Sequence, residues 1–362
     1  MIRGSALLLL LLARLAEAQA DVSVVPVVAP AYTPELGFLI AAGGVMTWNG
    51  DVRTPTLPRS TLTLTAGAST VGAVLLQSRL NAFVLNDAVR FTTLVDVRDQ
   101  PDHYFGVGLR NGLTRPLGAE TTALRRTWWT AEPTVFRQLT GPLYLGAAMQ
   151  LSGTLVREHS DGVAGDVAFQ RHGAAVINTG VGLTLQLDTR DVPINAWRGV
   201  LLSGTFMGFG RALGANTEWY AVTLDYRQYV QLGWPGSTLA WQVKYRAAFG
   251  DVPWSELSQV GTPFDLRAYR WGQYRERTGL TALVEYRAML PFPSTSLWSH
   301  LGAAAWVGVG ALSSTALPDF TSVLPSLGVG LRVELIRRVT VRLDFGFGRE
   351  SRAVYFNFLE AF

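Results

Sequence analysis

Four histidines, His103, His159, His172 and His300, are the side chains best suited to bind a metal or move a proton, and none sits at metal-ligand spacing or beside a nucleophile motif. Ser299 adjoins His300, but neighbours on a strand point to opposite faces and cannot form a dyad. Asp188, Arg190 and Asp191 could make a catalytic or metal cluster. Charged turn residues of this kind are ordinary, and the run reads as a turn with local ion pairs. The Gly-x-Gly triplets at Gly106, Gly308 and Gly328 precede no helical pattern, so they are not phosphate-binding loops. They are expected to let strands bend or to leave room for another segment. Cysteine is absent, which excludes disulfides, thiol catalysis and thiolate metal sites. The sequence therefore predicts no enzyme, no metal and no cofactor.

Charge points the same way. Of 31 basic residues only Lys244 is a lysine, and the net charge is +4. The arginines recur singly at alternate positions, as at Arg332 and Arg342, where they would face a water-filled lumen. No basic stripe or aromatic-basic module appears, so nucleic acid is not an expected partner.

The elements that would position these residues follow a period of two. Val339, Val341, Leu343, Phe345 and Phe347 share one face, opposite Thr340, Arg342, Asp344, Gly346 and Gly348. Leu327, Val329, Leu331, Val333 and Leu335 likewise oppose Ser326, Gly328, Gly330, Arg332 and Glu334. Hydrophobic residues make up 48% of the chain and charged ones 16%, yet no later stretch is apolar enough for a membrane helix. An apolar face set against a face of glycine and charge fits a closed barrel in lipid. The fold predicted is all-β: a single transmembrane antiparallel β-barrel of about 16 strands. The connections 99–120, 158–173, 250–276 and 312–322 are expected to be the longest, all on the outer side.

The two ends add to this. Met1-Ile-Arg3, six leucines from Leu7 to Leu12 and Ala18-Gln19-Ala20 read as a signal peptide over 1–20, leaving 21–362 as the barrel. The segment 352–362 reads as a last strand with Val354, Phe356, Phe358 and Phe362 on its lipid side. Phe356, Phe358 and Phe362 are the candidate C-terminal assembly signal. In the first strand Pro26 and Pro30 lie four apart, so their missing N–H groups fall on one edge. If that edge faces the last strand, the seam is weak.

Several motifs together resemble the BamA-type outer-membrane assembly barrels, the bacterial surface antigen superfamily. Tyr32-Thr-Pro34-Glu35-Leu-Gly37 is similar to that family's first hairpin, and Pro101-Asp-His-Tyr104-Phe-Gly106-Val-Gly108 to its Pro-x-x-Tyr/Phe-x-Gly-x-Gly segment. Asp188-Thr-Arg190-Asp191, followed by Gly199, resembles its Asp-x-Arg-Asp turn. Leu266-Arg267-Ala268-Tyr269, followed by Glu285-Tyr-Arg287, resembles its loop tip and the strand beyond. The resemblance implies a long loop, 250–276, folded into the lumen with Arg267 at its tip. Two departures stand out. The tip glycine is Ala268, and Gly308 stands where the family has the aspartate that holds the arginine. Substitute carboxylates are sought at Glu285 and Glu334 first, then Asp344. The family's periplasmic POTRA domains find no room in these 362 residues.

By resemblance the chain is expected in the bacterial outer membrane, inserting or translocating protein or lipid with separate partners. Its surroundings would be outer-membrane lipid and, during insertion, the cell's barrel-assembly machinery. A passive loop-gated pore and a structural surface barrel are the alternatives.

Overall fold

The computed structural model describes residues 22–49, 59–293 and 295–362. The segment read as a signal peptide lies outside the described residues. Sixteen antiparallel strands form the wall. The first eight are β1 (Ser23–Thr33), β2 (Gly37–Trp48), β3 (Ser60–Ser69), β4 (Val74–Val84), β5 (Val89–His103), β6 (Ala123–Ala131 and Thr134–Thr140), β7 (Leu143–His159) and β8 (Ala175–Asp188). The second eight are β9 (Gly199–Phe209), β10 (Trp219–Gln231), β11 (Ser237–Gly250), β12 (Thr278–Met289), β13 (Leu301–Ser313), β14 (Val323–Ile336), β15 (Val339–Gly348) and β16 (Ser351–Phe358). Each pairs with the next, and β1 meets β16 to close the barrel. Among the described residues no helix is long and apolar enough to cross a membrane.

The period of two sorts the side chains. Leu327, Val329, Leu331, Phe345 and Phe347 are exposed on the outside, whereas Ser326, Arg332, Arg342 and Asp344 are buried inside. β6 runs in two segments because Pro133 has no N–H to give its neighbours. The three longest connections, 104–122, 160–174 and 251–277, all leave one end of the barrel. The fourth expected one, 314–322, is shorter than 290–300 at the opposite end.

The seam is uneven. All eleven residues of β1 pair with β2 without a register shift, through Pro26↔Gly44 and Pro30↔Ile40. An antiparallel ladder uses the N–H of every second residue. Since this one is unbroken, both proline nitrogens point away from β2, towards β16. On that side a single pair is made, Tyr32↔Phe356.

The last strand is shorter than its apolar pattern suggests. β16 stops at Phe358, and Leu359 turns with φ 61°. Glu360 shares the parity of Phe356 and Phe358, so a continued strand would put its carboxylate into lipid, which is costly. The chain turns inward instead. Arg332 Nε and Thr340 Oγ1 then donate to Glu360 at 2.9 and 2.8 Å. Phe362, expected on the lipid face, is buried in the lumen among Ala196, Tyr229, Ala240 and Leu283.

Candidate functional site

The connection between β11 and β12 re-enters the barrel. It rises as a short hairpin, Ser258–Val260 with Tyr274–Glu276, and presents a tip between them. Asp265 shapes the tip by accepting from the amides of Thr262 and Gly261 at 2.6 and 3.2 Å, and from that of Leu266. Leu266, Arg267 and Tyr269 are fully buried and Ala268 nearly so. Ala268 has φ 106°, a conformation open to glycine and strained for alanine.

The wall opposite the tip is lined with glycine for a steric reason. A Cβ on Gly310 would lie 2.7 Å from Leu266, and one on Gly346 would lie 3.0 Å from the Ala268 nitrogen. A Cβ on Gly348 would lie 2.7 Å from the Tyr269 ring, and one on Gly328 would run into the indole of Trp306. Gly310, Gly346 and Gly348 make the space the plug occupies, and Gly328 makes room for the Trp306 indole.

Arg267 has three partners. Its Nη2 lies 2.5 Å from Glu285 Oε2, its Nη1 lies 3.0 Å from Asp344 Oδ2, and its Cζ sits 3.6 Å from the centre of the Trp306 ring. With Gly at 308, the strand that carries Trp306 supplies a cation–π face in place of a carboxylate. The acids come from strands on either side, β12 and β15. Ser326 Oγ donates to the Arg267 carbonyl.

Glu334 is not part of this site. Its Oε1 accepts from the Arg338 amide at 2.8 Å. Asp344 pairs with Gly330, and Glu334 lies four positions further along β14, about 13 Å away. Height along the wall decides the partner. Ranking Glu334 above Asp344 by strand adjacency is corrected by the register.

The pair belongs to a larger network. Arg332 Nη1 and Arg342 Nη1 reach Asp344 at 2.7 and 2.5 Å, and Arg287 lies 3.7 Å from both Glu285 and Glu360. Arg342 Nη2 also donates to the Pro263 carbonyl of the plug at 2.7 Å. Four guanidiniums thus share three carboxylates in a water-poor core. Each carboxylate touches at least two of the guanidiniums, and only Arg267 belongs to the plug, so its two acids tie the plug to a wall network that is already in place. Arg332 and Arg342, scattered in the sequence, are cross-strand partners in the register.

The plug also touches both sides of the seam. The Trp271 amide donates to Glu35 Oε1 in the β1–β2 turn at 3.0 Å. Tyr355 on β16 accepts from the Ala268 amide and donates to the Tyr269 carbonyl, both at 3.2 Å. Tyr269 Oη donates to the Pro325 carbonyl at 2.6 Å and accepts from the Arg349 amide at 2.8 Å. Sequence reasoning missed Tyr355 and Glu360 as members of the site. The parity of Glu360 with Phe356 and Phe358 was the available signal.

The turn motif divides. Arg190 forks onto Asp188 at 2.9 and 3.0 Å, a local pair, and Arg90 approaches the same carboxylate at 3.5 Å. Asp191 reaches another turn, pairing with Arg338 at 2.9 Å, while Arg338 stacks 3.4 Å over Trp197. Burial opposes ionisation of Asp191, but the Arg338 hydrogen bond and the Trp197 and Arg198 amides outweigh it and hold the carboxyl below its usual range. The turn 189–198 therefore folds across the short-turn end, where Ala196 is buried against Phe362. Tyr104, from the Pro-x-x-Tyr segment, is buried beneath the plug hairpin, 5.1 Å from the Trp254 ring. Among the described residues no three His, Cys, Asp or Glu side chains are grouped to hold a metal.

Comparison with known proteins agrees with this architecture. The profile of the Omp85 superfamily domain matches residues 107–358. The fold is similar to that of BamA from Haemophilus ducreyi lacking POTRA domains 1–3, with a TM-score of 0.58 at 13% identity over 93% of this chain and 70% of that one. It is also similar to CdiB from Escherichia coli, with a TM-score of 0.57 at 12% identity over 96% of this chain and 68% of that one. For CdiB from Acinetobacter baumannii the TM-score is 0.52 at 10% identity, over 94% of this chain and 65% of that one. No curated protein sequence matches the chain.

Proposed function

This chain belongs to the Omp85 superfamily, and we propose that it works in the bacterial outer membrane as a barrel that inserts or translocates protein or lipid, with separate partners delivering the client. The observation that carries this reading is the seam. β1 shares eleven paired residues with β2 but one pair with β16, and its prolines withhold two donors from that edge. A wall held so weakly at one line can part there while the remaining ladders stay closed. The plug, buried and ion-paired at its tip, stands inside the lumen until it does. A passive pore needs an open lumen instead.

The test is a seam lock. Tyr32→Cys with Phe356→Cys can be oxidised without competition in this cysteine-free chain. Tagged protein is recovered from native membranes in reduced and oxidised forms. A client that co-purifies with the reduced form and is lost on oxidation supports the reading. A large conductance in planar bilayers, unchanged by deleting the plug tip and unaffected by the lock, overturns it in favour of the pore.

A further inference from the structure

The inner wall beside the seam differs from the rest of the lumen. Parity puts Val24 and Val28 outside, and both are exposed there. Val25, Val27 and Ala31 of β1 therefore face inward, and Leu39, Ala41, Gly43 and Val45 of β2 face inward with them. Between the ends of these strands no polar side chain faces the lumen. At one end Ala31 and Leu39 are buried, but the rest of this surface is left open, for Val25, Val27, Ala41 and Val45 are only half-buried. From the Val25–Val45 row to Ala41 the open apolar tract runs about 14 Å along the wall.

Across the wall the character changes in one row. Val25 pairs with Val45, Val45 with Thr63, and Thr63 with Arg79. The order from the seam inward is apolar, apolar, hydroxyl, cation, and it spans about 14 Å. Arg79 is exposed to the lumen and forms no hydrogen bond or ion pair through its side chain among the described residues. The adjacent Asp96 is already engaged, by Arg98 at 2.8 and 2.9 Å and by Gln77 at 2.7 Å. Glu132 and Arg227 are the other charges that face Arg79.

We propose that this inner wall binds a bilayer phospholipid that enters through the seam, its acyl chain along Val25, Val27, Ala41 and Val45 and its anionic headgroup at Arg79. Apolar surface facing a watery lumen is covered favourably by an acyl chain. The edge argues for the same ligand over an incoming strand. β1 presents no donor at Pro26 or Pro30, so it is a poor template for β-pairing, whereas an acyl chain needs no donors. This deepens the proposed function by naming a ligand class, and it rests on the seam described there.

The experiment uses the full chain in vesicles containing dibrominated phosphatidylglycerol, with a bimane label on single cysteines at Thr65→Cys (inner wall, next row), Leu64→Cys (lipid face) and Thr205→Cys (inner wall of β9). Bromine quenches at contact range. The Thr65 label is expected to be quenched at least half as strongly as the Leu64 label, with the Thr205 label unaffected. Val27→Asn, or the milder Val45→Thr, reduces quenching at 65 and leaves 64 unchanged. Arg79→Gln lowers the preference for dibrominated phosphatidylglycerol over dibrominated phosphatidylcholine about fivefold. Quenching at 65 no greater than at 205 overturns the site, and equal quenching by the two lipids in the unmodified wall overturns the role of Arg79. If the seam lock abolishes client recovery while the Thr65 label is never quenched, the proposed function stands and the lipid site falls.

Discussion

Trp271 donates its backbone N–H to Glu35 Oε1 across 3.0 Å, joining the plug tip to the hairpin that begins the wall. Tyr355 holds the neighbouring plug residues from the other side of the seam. Ladder bonds missing between β1 and β16 are thus partly replaced by bonds through the plug, which couples plug position to seam closure. Glu35→Ala should speed hydrogen exchange at the Trp271 amide and along β1, since a hydrogen bond to a charged acceptor contributes about 1.5–3 kcal/mol. Burial raises the Glu35 carboxyl above its ordinary range, against the lowering effect of the Trp271 and Glu35 amides. The folded state then holds this proton to higher pH than the unfolded chain does. The contribution is most favourable below the ordinary glutamate range and declines as pH rises towards the raised value. Glu35→Gln keeps an acceptor and loses that decline. Its thermal midpoint should vary less than the parent's between about pH 4 and about pH 7, and an unchanged pH profile would remove Glu35 from this role.

Arg267→Ala should release the plug. The substitution takes from Glu285 its closest cation, leaving the longer contacts to Arg287 and Arg332 at 3.7 and 3.8 Å, and empties the face of Trp306. Breaking a buried pair from one side costs about 3–5 kcal/mol. Protease added to folded protein should then cut within 251–277, where the parent resists. Arg267→Lys should rescue only in part, because an ammonium cannot fork to two acids while stacking on an indole. Glu334→Gln is the contrast. It should leave plug protection unchanged and shift stability by less than about 0.5 kcal/mol.

The strands were legible because lipid on one side and a polar lumen on the other force a period of two, as in β14 and β15. Parity could say that Glu285, Glu334 and Asp344 face inward, but not how high each stands. Height depends on register, which is built up hairpin by hairpin around the wall. That is why Asp344, opposite Gly330, meets Arg267 while Glu334 does not. The Glu35–Trp271 bond joins residues 236 positions apart and has no local signature. The inward turn at Leu359 was legible in principle. Glu360 broke the apolar parity of the last strand, and a carboxylate facing lipid was the warning.

Ala268 sits in a glycine conformation with φ 106° and packs against Gly346. Ala268→Gly should relieve that strain. The gain is partly offset by the greater freedom of glycine in the unfolded chain, leaving a net stabilisation of about 1 kcal/mol. Plug exchange should slow to match, as read by hydrogen exchange over 262–271. A destabilised Gly variant would mean that the surrounding wall, and not the tip itself, sets this backbone angle.

The seam prolines make the sharpest mutational contrast. Pro26 and Pro30 direct their ring nitrogens at β16, and in β1 only Tyr32 is paired with that strand. Pro26→Ala with Pro30→Ala would place two N–H donors on this edge without disturbing the β1–β2 ladder, which does not use those positions. Each new rung could add about 1 kcal/mol. Those rungs need acceptors, and β16 can supply them only if it comes alongside β1 beyond Phe356. The turn at Leu359 and the buried bonds of Glu360 resist that movement. The double alanine variant should therefore gain little alone but more when combined with Glu360→Gln, which weakens the hold of Arg332 on the tail. Seam closure is read from amide exchange of residues 24–32, and stability from the thermal midpoint. Additive effects of the prolines and Glu360 would show that the tail and the seam act independently; a gain that appears only in the combination shows that the inward tail is what keeps the seam short.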